Sequence, residues 1–266
     1  MLRDAQYIIR TMRDRVVRAA VAFAVLGLLA GCSNPLGKQY EYEEQLYLSV
    51  DGSATLIIDA SVPALVALHG LPVDPSPRAR LEREQVRLFF TTPQCPDVRV
   101  GQPWIRHGRR FVQIRIQAPD VLRLRSCGPL AWSTYGLTRD GQALHFTQDV
   151  GHLKDGDPGV VNWDGSEIVG FKLHLPSRIL FHNVKRLDDG SNGQAERGNI
   201  LTWEQKLADR RAGQPVQMEV RIDSESILYR TLWLFGGAFV AAVLVLVTLI
   251  WGTIRRARRR QAAEAR

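Results

Sequence analysis

Six histidines, His69, His107, His145, His152, His174 and His182, are the residues best suited to hold a metal or move a proton, and their spacing serves neither. No HExxH motif occurs, and no pair sits at metal-ligand spacing beside a carboxylate. His174 and His182 fall in adjoining strands, where a lone histidine is ordinarily a surface or core residue. Gly190-Ser191-Asn192-Gly193 lacks the spacing of a GxSxG nucleophile elbow and lies in a polar loop. Asp155, Asp157, Asn162, Asp164 and Glu167 crowd oxygen groups of the kind calcium favours into one loop. They do not follow the glycine and glutamate positions of an EF-hand, so this reads as a solvated, turn-rich loop. The chain reads as a non-enzyme with no cofactor, no catalytic residues and no metal site; a hydrolase would need a convergent site that the sequence does not display.

The three cysteines carry more information. Arg13, Arg15 and Arg18 precede an apolar run from Ala19 to Leu29 and then Leu29-Ala30-Gly31-Cys32, the order of a secretory signal. Leu-Ala-Gly-Cys resembles the bacterial lipobox, in which the cysteine thiol receives a diacylglycerol and the chain is cut just before it. The resemblance implies that Cys32 is lipidated and becomes the first residue of the mature protein, with palmitate-type chains in the membrane. An uncleaved signal anchor is the alternative, and Met12 is an alternative start that leaves a signal of ordinary length. Cys95 and Cys127 then remain in an oxidising compartment, where a disulfide is the default. It would close a loop of about 30 residues and stabilise the domain by roughly 3 kcal/mol on the loop-entropy model.

The elements that must position these residues lie between two membrane signals. Thr231 to Ile254 carries no charged side chain, has Trp233 and Trp251 near its ends, and runs into Arg255, Arg256, Arg258, Arg259 and Arg260. This is the pattern of a transmembrane helix with a cytoplasmic basic tail, which puts the preceding chain outside the bacterial cytoplasmic membrane, toward periplasm or exterior. The expected organisation is a signal over 1–31, an acylated tether over 32–39, an exported domain over 40–223, a juxtamembrane and transmembrane segment over 224–254, and a tail over 255–266. The net charge of +8 and a pI near 9.8 would suggest nucleic acid. The excess, however, lies entirely in the signal and the tail; residues 32–254 balance acid against base. No nucleic-acid partner is expected. The basic ends read as contact with anionic lipid.

Within the domain, alternating side chains predict a hairpin over Tyr40–Val50 and Ser53–Ala60 turning at Asp51-Gly52. A short helix follows over Val62–Leu68, stopping at Gly70, and a second is capped at Ser76 and Pro77 with Leu81, Leu88 and Phe89 as its stripe. A hairpin over Val98–Ile105 and Arg110–Ala118 turns at His107-Gly108. Its tip gathers Arg106, Arg109 and Arg110, candidate contacts for lipid headgroups. A short helix from Pro119-Asp120 ends near Cys127. Strands are expected over Ser133–Thr138, Gln142–Val150, Ile168–Leu175, Ile179–Asn183, Asn199–Lys206 and Val216–Ile222, with a loop over Gly151–Glu167. The fold class is α+β: an antiparallel curved sheet with a few short helices packed on one face, followed by the C-terminal transmembrane helix.

Phe171-Lys172-Leu173-His174-Leu175-Pro176-Ser177, then Phe181-His182-Asn183, then Gly198-Asn199-Ile200-Leu201-Thr202-Trp203-Glu204, resemble the LppM type of bacterial lipoprotein ectodomain. That resemblance implies a curved sheet and helices around an apolar cavity, with lipid or glycolipid as ligand and Trp203 in the cavity wall. Three functions stay open. The first is a membrane-anchored envelope lipoprotein that binds a lipid or other amphipathic ligand. The second is a module that binds an envelope protein partner, marked by an exposed apolar patch in place of an enclosed cavity. The third is a hydrolase. The partners expected are membrane lipid, through Cys32 and helix 231–254, and a bound lipid or an envelope protein.

Overall fold

A computed structural model describes residues 38–152 and 156–264. The signal, Cys32 and most of the tether lie outside the described residues, as does Asp155.

The chain is α+β, with two sheets where the sequence suggested one. β1 (Tyr40–Leu48) and β2 (Ala54–Ser61) form the expected hairpin, and β2 pairs onward with β5 (Arg109–Ala118). β3 (Val98–Val100) and β4 (Trp104–Arg106) both pair with β5, because Gly101-Gln102-Pro103 interrupts what the pattern predicts as one strand. β8 (Ile168–His174) and β10 (Ile200–Lys206) complete a seven-stranded sheet in the order β10-β8-β1-β2-β5-β3, with β4 also on β5. The second sheet has four antiparallel strands in the order β6-β7-β11-β9, built from β6 (Ser133–Asp140), β7 (Ala143–Val150), β9 (Ile179–His182) and β11 (Val216–Asp223). β1 and β8 run parallel. A hairpin cannot make that pairing; it requires the chain to leave the first sheet, build β6 and β7, and cross back.

Alternation decides which faces meet. Leu46, Leu56, Ile58, Ile114, Ile116, Val169, Phe171 and Leu201 point inward from the first sheet, and Phe146, Met218, Val220 and Ile222 from the second. They belong to one hydrophobic cluster of buried side chains.

The helices pack against this frame. α1 (Val62–His69) is buried along its whole length; Ser61 caps it through Ala64 N–H at 3.1 Å, and Gly70 ends it at φ 66, a left-handed conformation that suits glycine. α2 begins later than the Ser76 cap predicts, at Arg83 (Arg83–Phe90). Pro75 and Pro77 flank a local turn instead, with Ser76 N–H bonded to Asp74 Oδ1 at 2.8 Å and Ala79 N–H to Ser76 O at 3.1 Å. Its buried stripe is Val86 and Phe90, and Leu88 faces solvent. Two 3-10 helices, Val121–Ser126 and Gly128–Trp132, lead into β6, and α3 (Leu207–Arg211) follows β10. α4 (Ile227–Glu264) contains Thr231–Gly252, an apolar stretch of mean hydropathy 2.5 with none of it buried. At 22 residues it is about 33 Å long, enough to cross a hydrocarbon core.

Candidate functional site

The arginine cluster at the β4–β5 turn divides on folding. His107 and Gly108 both take positive φ, the geometry of a two-residue hairpin turn, and Arg109 and Arg110, which follow on opposite faces of β5, are both buried. Arg109 binds Glu41 at 3.1 Å and Glu167 at 3.2 Å, and all three side chains are at most one-tenth exposed. Arg110 is buried and donates to the Pro77 carbonyl. The expectation of three exposed arginines is therefore corrected. Only Arg106 is exposed, with its guanidinium 4.3 Å from the Phe111 ring centroid and a hydrogen bond to Tyr40 O. Trp203 is 5% exposed and donates from Nε1 to Asn183 Oδ1 at 3.0 Å, inside the packed core. Cys95 and Cys127 are joined by a disulfide.

Carboxylates of the acidic loop accept from the loop's own backbone. Asp157 accepts from Gly159 N–H at 2.8 Å, and Glu167 accepts from Asp164 and Gly165 N–H, each at 2.9 Å. Among the described residues, no group of three His, Cys, Asp or Glu side chains is placed to hold a metal ion. His174 stacks on Tyr47 with ring centroids 3.9 Å apart. His69 is buried against Tyr42, Trp132 and Phe90 and contacts the Pro129 carbonyl through Nδ1 at 3.0 Å. Burial lowers its pKa to about 4, so the ring is neutral near pH 7 and Nδ1 is the donor.

The surface that stands out is the edge of the second sheet. β9 ends the sheet, and its Leu180 and Phe181 are 49% and 46% exposed. Beside it a groove of about 770 Å³ runs between Ile179, Phe181 and His182 on one side and Asn192, Gly193 and Ala195 on the other. Arg178 and Lys185 are exposed in its lining, Arg178 4.0 Å from Asp223 and Lys185 bonded to Asn192, and the Arg221 guanidinium lies 5.8 Å from the Phe181 ring centroid. This edge adjoins the root of α4: Asp223 N–H donates to Arg178 O at 2.9 Å, and Ser226 Oγ contacts Pro176 O at 3.5 Å. An apolar strip with basic flanks thus lies next to where the chain enters its apolar helix.

No family model matches the chain, and no curated protein matches it. It is similar to the folded domain of Mycobacterium tuberculosis LppM, solved by NMR. The likeness covers 73% of this chain and 95% of that one, at 12% identity and a TM-score of 0.36. Similarity at that level says nothing of ligand or activity.

Sequence reasoning identified β9 as a strand but not its exposure. Ile179-Leu180-Phe181 is apolar without alternation, a pattern that usually marks a strand buried on both faces. The second feature it missed is a polar cluster inside the core. Glu44 on β1 accepts from Tyr42 Oη at 3.0 Å and from Gln148 Nε2 at 2.9 Å, and Gln148 Nε2 also lies 3.3 Å from Ser133 Oγ, so the two sheets are bonded through their interior. By alternation Glu44 falls in the row of Tyr42, Leu46 and Leu48, a charged residue among apolar ones, and its partner Gln148 lies too far along the chain for the sequence to connect them.

Burial raises the Glu44 pKa, and the hydrogen bonds from Gln148 and Tyr42 offset only part of that. The folded state therefore holds the Glu44 proton more tightly than the unfolded chain does. Stability from this group is fullest in acid and falls as pH rises from the ordinary carboxylate range through the raised value. Glu44→Gln, which keeps the shape and both contacts without the charge, is expected to raise stability at neutral pH and flatten that slope. Urea unfolding of wild type and variant across the acid-to-neutral range checks this; parallel profiles would refute it.

Proposed function

We propose that this chain is a membrane-anchored envelope lipoprotein whose domain is a non-enzymatic binding module for a lipid or other amphipathic ligand, held in the groove beside β9. The observation that carries this reading is the pair Leu180 and Phe181, exposed on a sheet edge that pairs with no further strand among the described residues and whose neighbouring turn is hydrogen-bonded to the root of α4. An apolar strip there gains by covering hydrocarbon, roughly 25 cal/mol per Å² of apolar area removed from water, and the flanking Arg178 and Lys185 suit an anionic headgroup. The ligand lies at the surface in this reading, because the groove beside β9 carries the exposed Leu180 and Phe181. Anchoring by acyl chains on Cys32 together with the 231–254 helix belongs to the same proposal, with the domain outside and the tail in the cytoplasm.

The test is native mass spectrometry with organic extraction on the full-length protein released from detergent. Wild type is expected to retain a stoichiometric lipid, and Leu180→Ser/Phe181→Ser to lose it. A clean apo mass for wild type after incubation with envelope lipid extract would overturn the proposal. The β9 edge, which pairs with no further strand among the described residues, also supports a second reading, addition of a strand from an envelope protein. Lipid-free protein that crosslinks to one partner through position 181 would favour that alternative.

A further inference from the structure

A second cleft, of about 590 Å³, opens where the β1–β2 turn meets the end of β5, a size typical of small-ligand sites. It is built from elements other than β9 and stands independently of the groove there. One wall is the segment Pro93–Asp97, and Arg123 forms the adjoining rim. The disulfide staples these two together: Cys95 lies within the first segment, Cys127 follows Arg123 by one turn, and the Arg123 carbonyl lies 3.9 and 3.7 Å from their sulfurs. Thr92 Oγ1 adds a hydrogen bond to Ser126 O at 3.1 Å.

The opposite wall carries Tyr47, which is 39% exposed. Its ring is backed by His174, stacked at 3.9 Å with the planes 12° apart, so it forms a rigid plate. Burial and the charge of Lys172 hold His174 below its usual pKa. Between the walls lie hydroxyl and amide groups: Thr55, whose Oγ1 is 3.5 Å from Gln117 Oε1, together with Ser49, Ser53 and Gln94. One carboxylate, Asp97, which accepts from Arg99 Nε at 3.3 Å, and one guanidinium, Arg123, line the cleft.

This lining selects by chemistry. Hydroxyls and amides share the lining with the exposed rings of Pro93, Pro96 and Pro119, so a ligand there needs both hydrogen-bonding groups and apolar surface, and an acyl chain would bury the polar groups without partners. A neutral polyhydroxylated ring meets both needs: its hydroxyls alternate as donors and acceptors with the side chains, and its C–H face lies on an aromatic plane. We propose that this cleft binds a saccharide segment, with Tyr47 as the stacking plate and Thr55, Gln94, Asp97, Gln117 and Arg123 as hydrogen-bonding partners.

The experiment is saturation-transfer NMR on the full-length protein in lipid nanodiscs, with soluble oligomers of N-acetylglucosamine, mannose and glucose as probes. At least one oligomer is expected to receive saturation on its ring protons. Tyr47→Ala should weaken that binding about tenfold, the scale of one aromatic stacking contact, and Tyr47→Phe should leave it nearly unchanged. Gln94→Ala, at an exposed position, gives a second reading should Tyr47→Ala fail to fold, and is expected to weaken binding severalfold. Leu180→Ser/Phe181→Ser should bind saccharide like wild type, which separates this cleft from the β9 groove. Absence of transfer to all three oligomers, or retention of wild-type affinity by Tyr47→Ala or, where that variant does not fold, by Gln94→Ala, overturns the assignment.

Discussion

Replacing Arg109 with methionine is expected to destabilise the domain by about 3–5 kcal/mol, the cost of breaking a buried ion pair from one side. The reason is what remains behind. Glu41 is fully buried and Glu167 nearly so, and each is bonded to the same guanidinium. Without it, both carboxylates stay in the interior, where Trp163 Nε1, 3.3 Å from Glu41, and the amides of Asp164 and Gly165 on Glu167 support their charge less than a guanidinium does. Arg109 Nη2 also donates to Asn162 O at 3.2 Å, so the substitution releases the loop that leads into β8. For a domain of this size the midpoint of thermal unfolding should fall by roughly 10 °C. The triple variant Arg109→Met/Glu41→Gln/Glu167→Gln, which removes every charge, should recover a large part of the loss, because neutral groups carry no buried-charge penalty. Tryptophan fluorescence during heating reads both. An Arg109→Met midpoint within a degree or two of wild type would mean that the ion cluster contributes nothing to folding.

The same cluster shows what the sequence could and could not reveal. Alternation and turn residues located the strands well, because β1, β2, β5 and β7 each bury one face and the period of two survives in them. The split into two sheets was not legible, since which strand pairs with which is decided by distant partners, such as Glu44 meeting Phe171 across the parallel β1–β8 pair. Arg109 looked like one of three exposed charges at a hairpin tip. Its burial depends on Glu41 and Glu167, which lie 68 and 58 residues away. The β9 edge was hidden for the opposite reason: an uninterrupted apolar run signals burial, and only the sheet order places it outside. The plate made by Tyr47 and His174 joins two strands that neither spacing nor composition connects. The disulfide was legible because the expectation of export sets Cys32 aside and leaves two cysteines with one partner each.

That disulfide carries the second large effect. Converting both cysteines to alanine, or reducing the wild type, is expected to destabilise the domain by about 3–4 kcal/mol on the loop-entropy model for a separation of 32 residues. Cys95 lies in the turn between α2 and β3, and Cys127 joins the two 3-10 helices, short elements with little stability of their own. Their Cα atoms are 5.4 Å apart, an ordinary bridged distance. Because the stabilisation acts on the unfolded chain, the alanine variant should keep the native fold, so its far-UV circular dichroism matches wild type, while its denaturant dependence steepens as a less restricted chain exposes more surface. Reductant should lower the wild-type midpoint to that of the alanine variant and leave the variant itself unmoved. An unchanged wild-type midpoint in reductant would show that the bridge adds no stability. The bridge also holds the Pro93–Asp97 wall against Arg123, so saccharide binding should weaken in step with its loss, at temperatures where both forms remain folded.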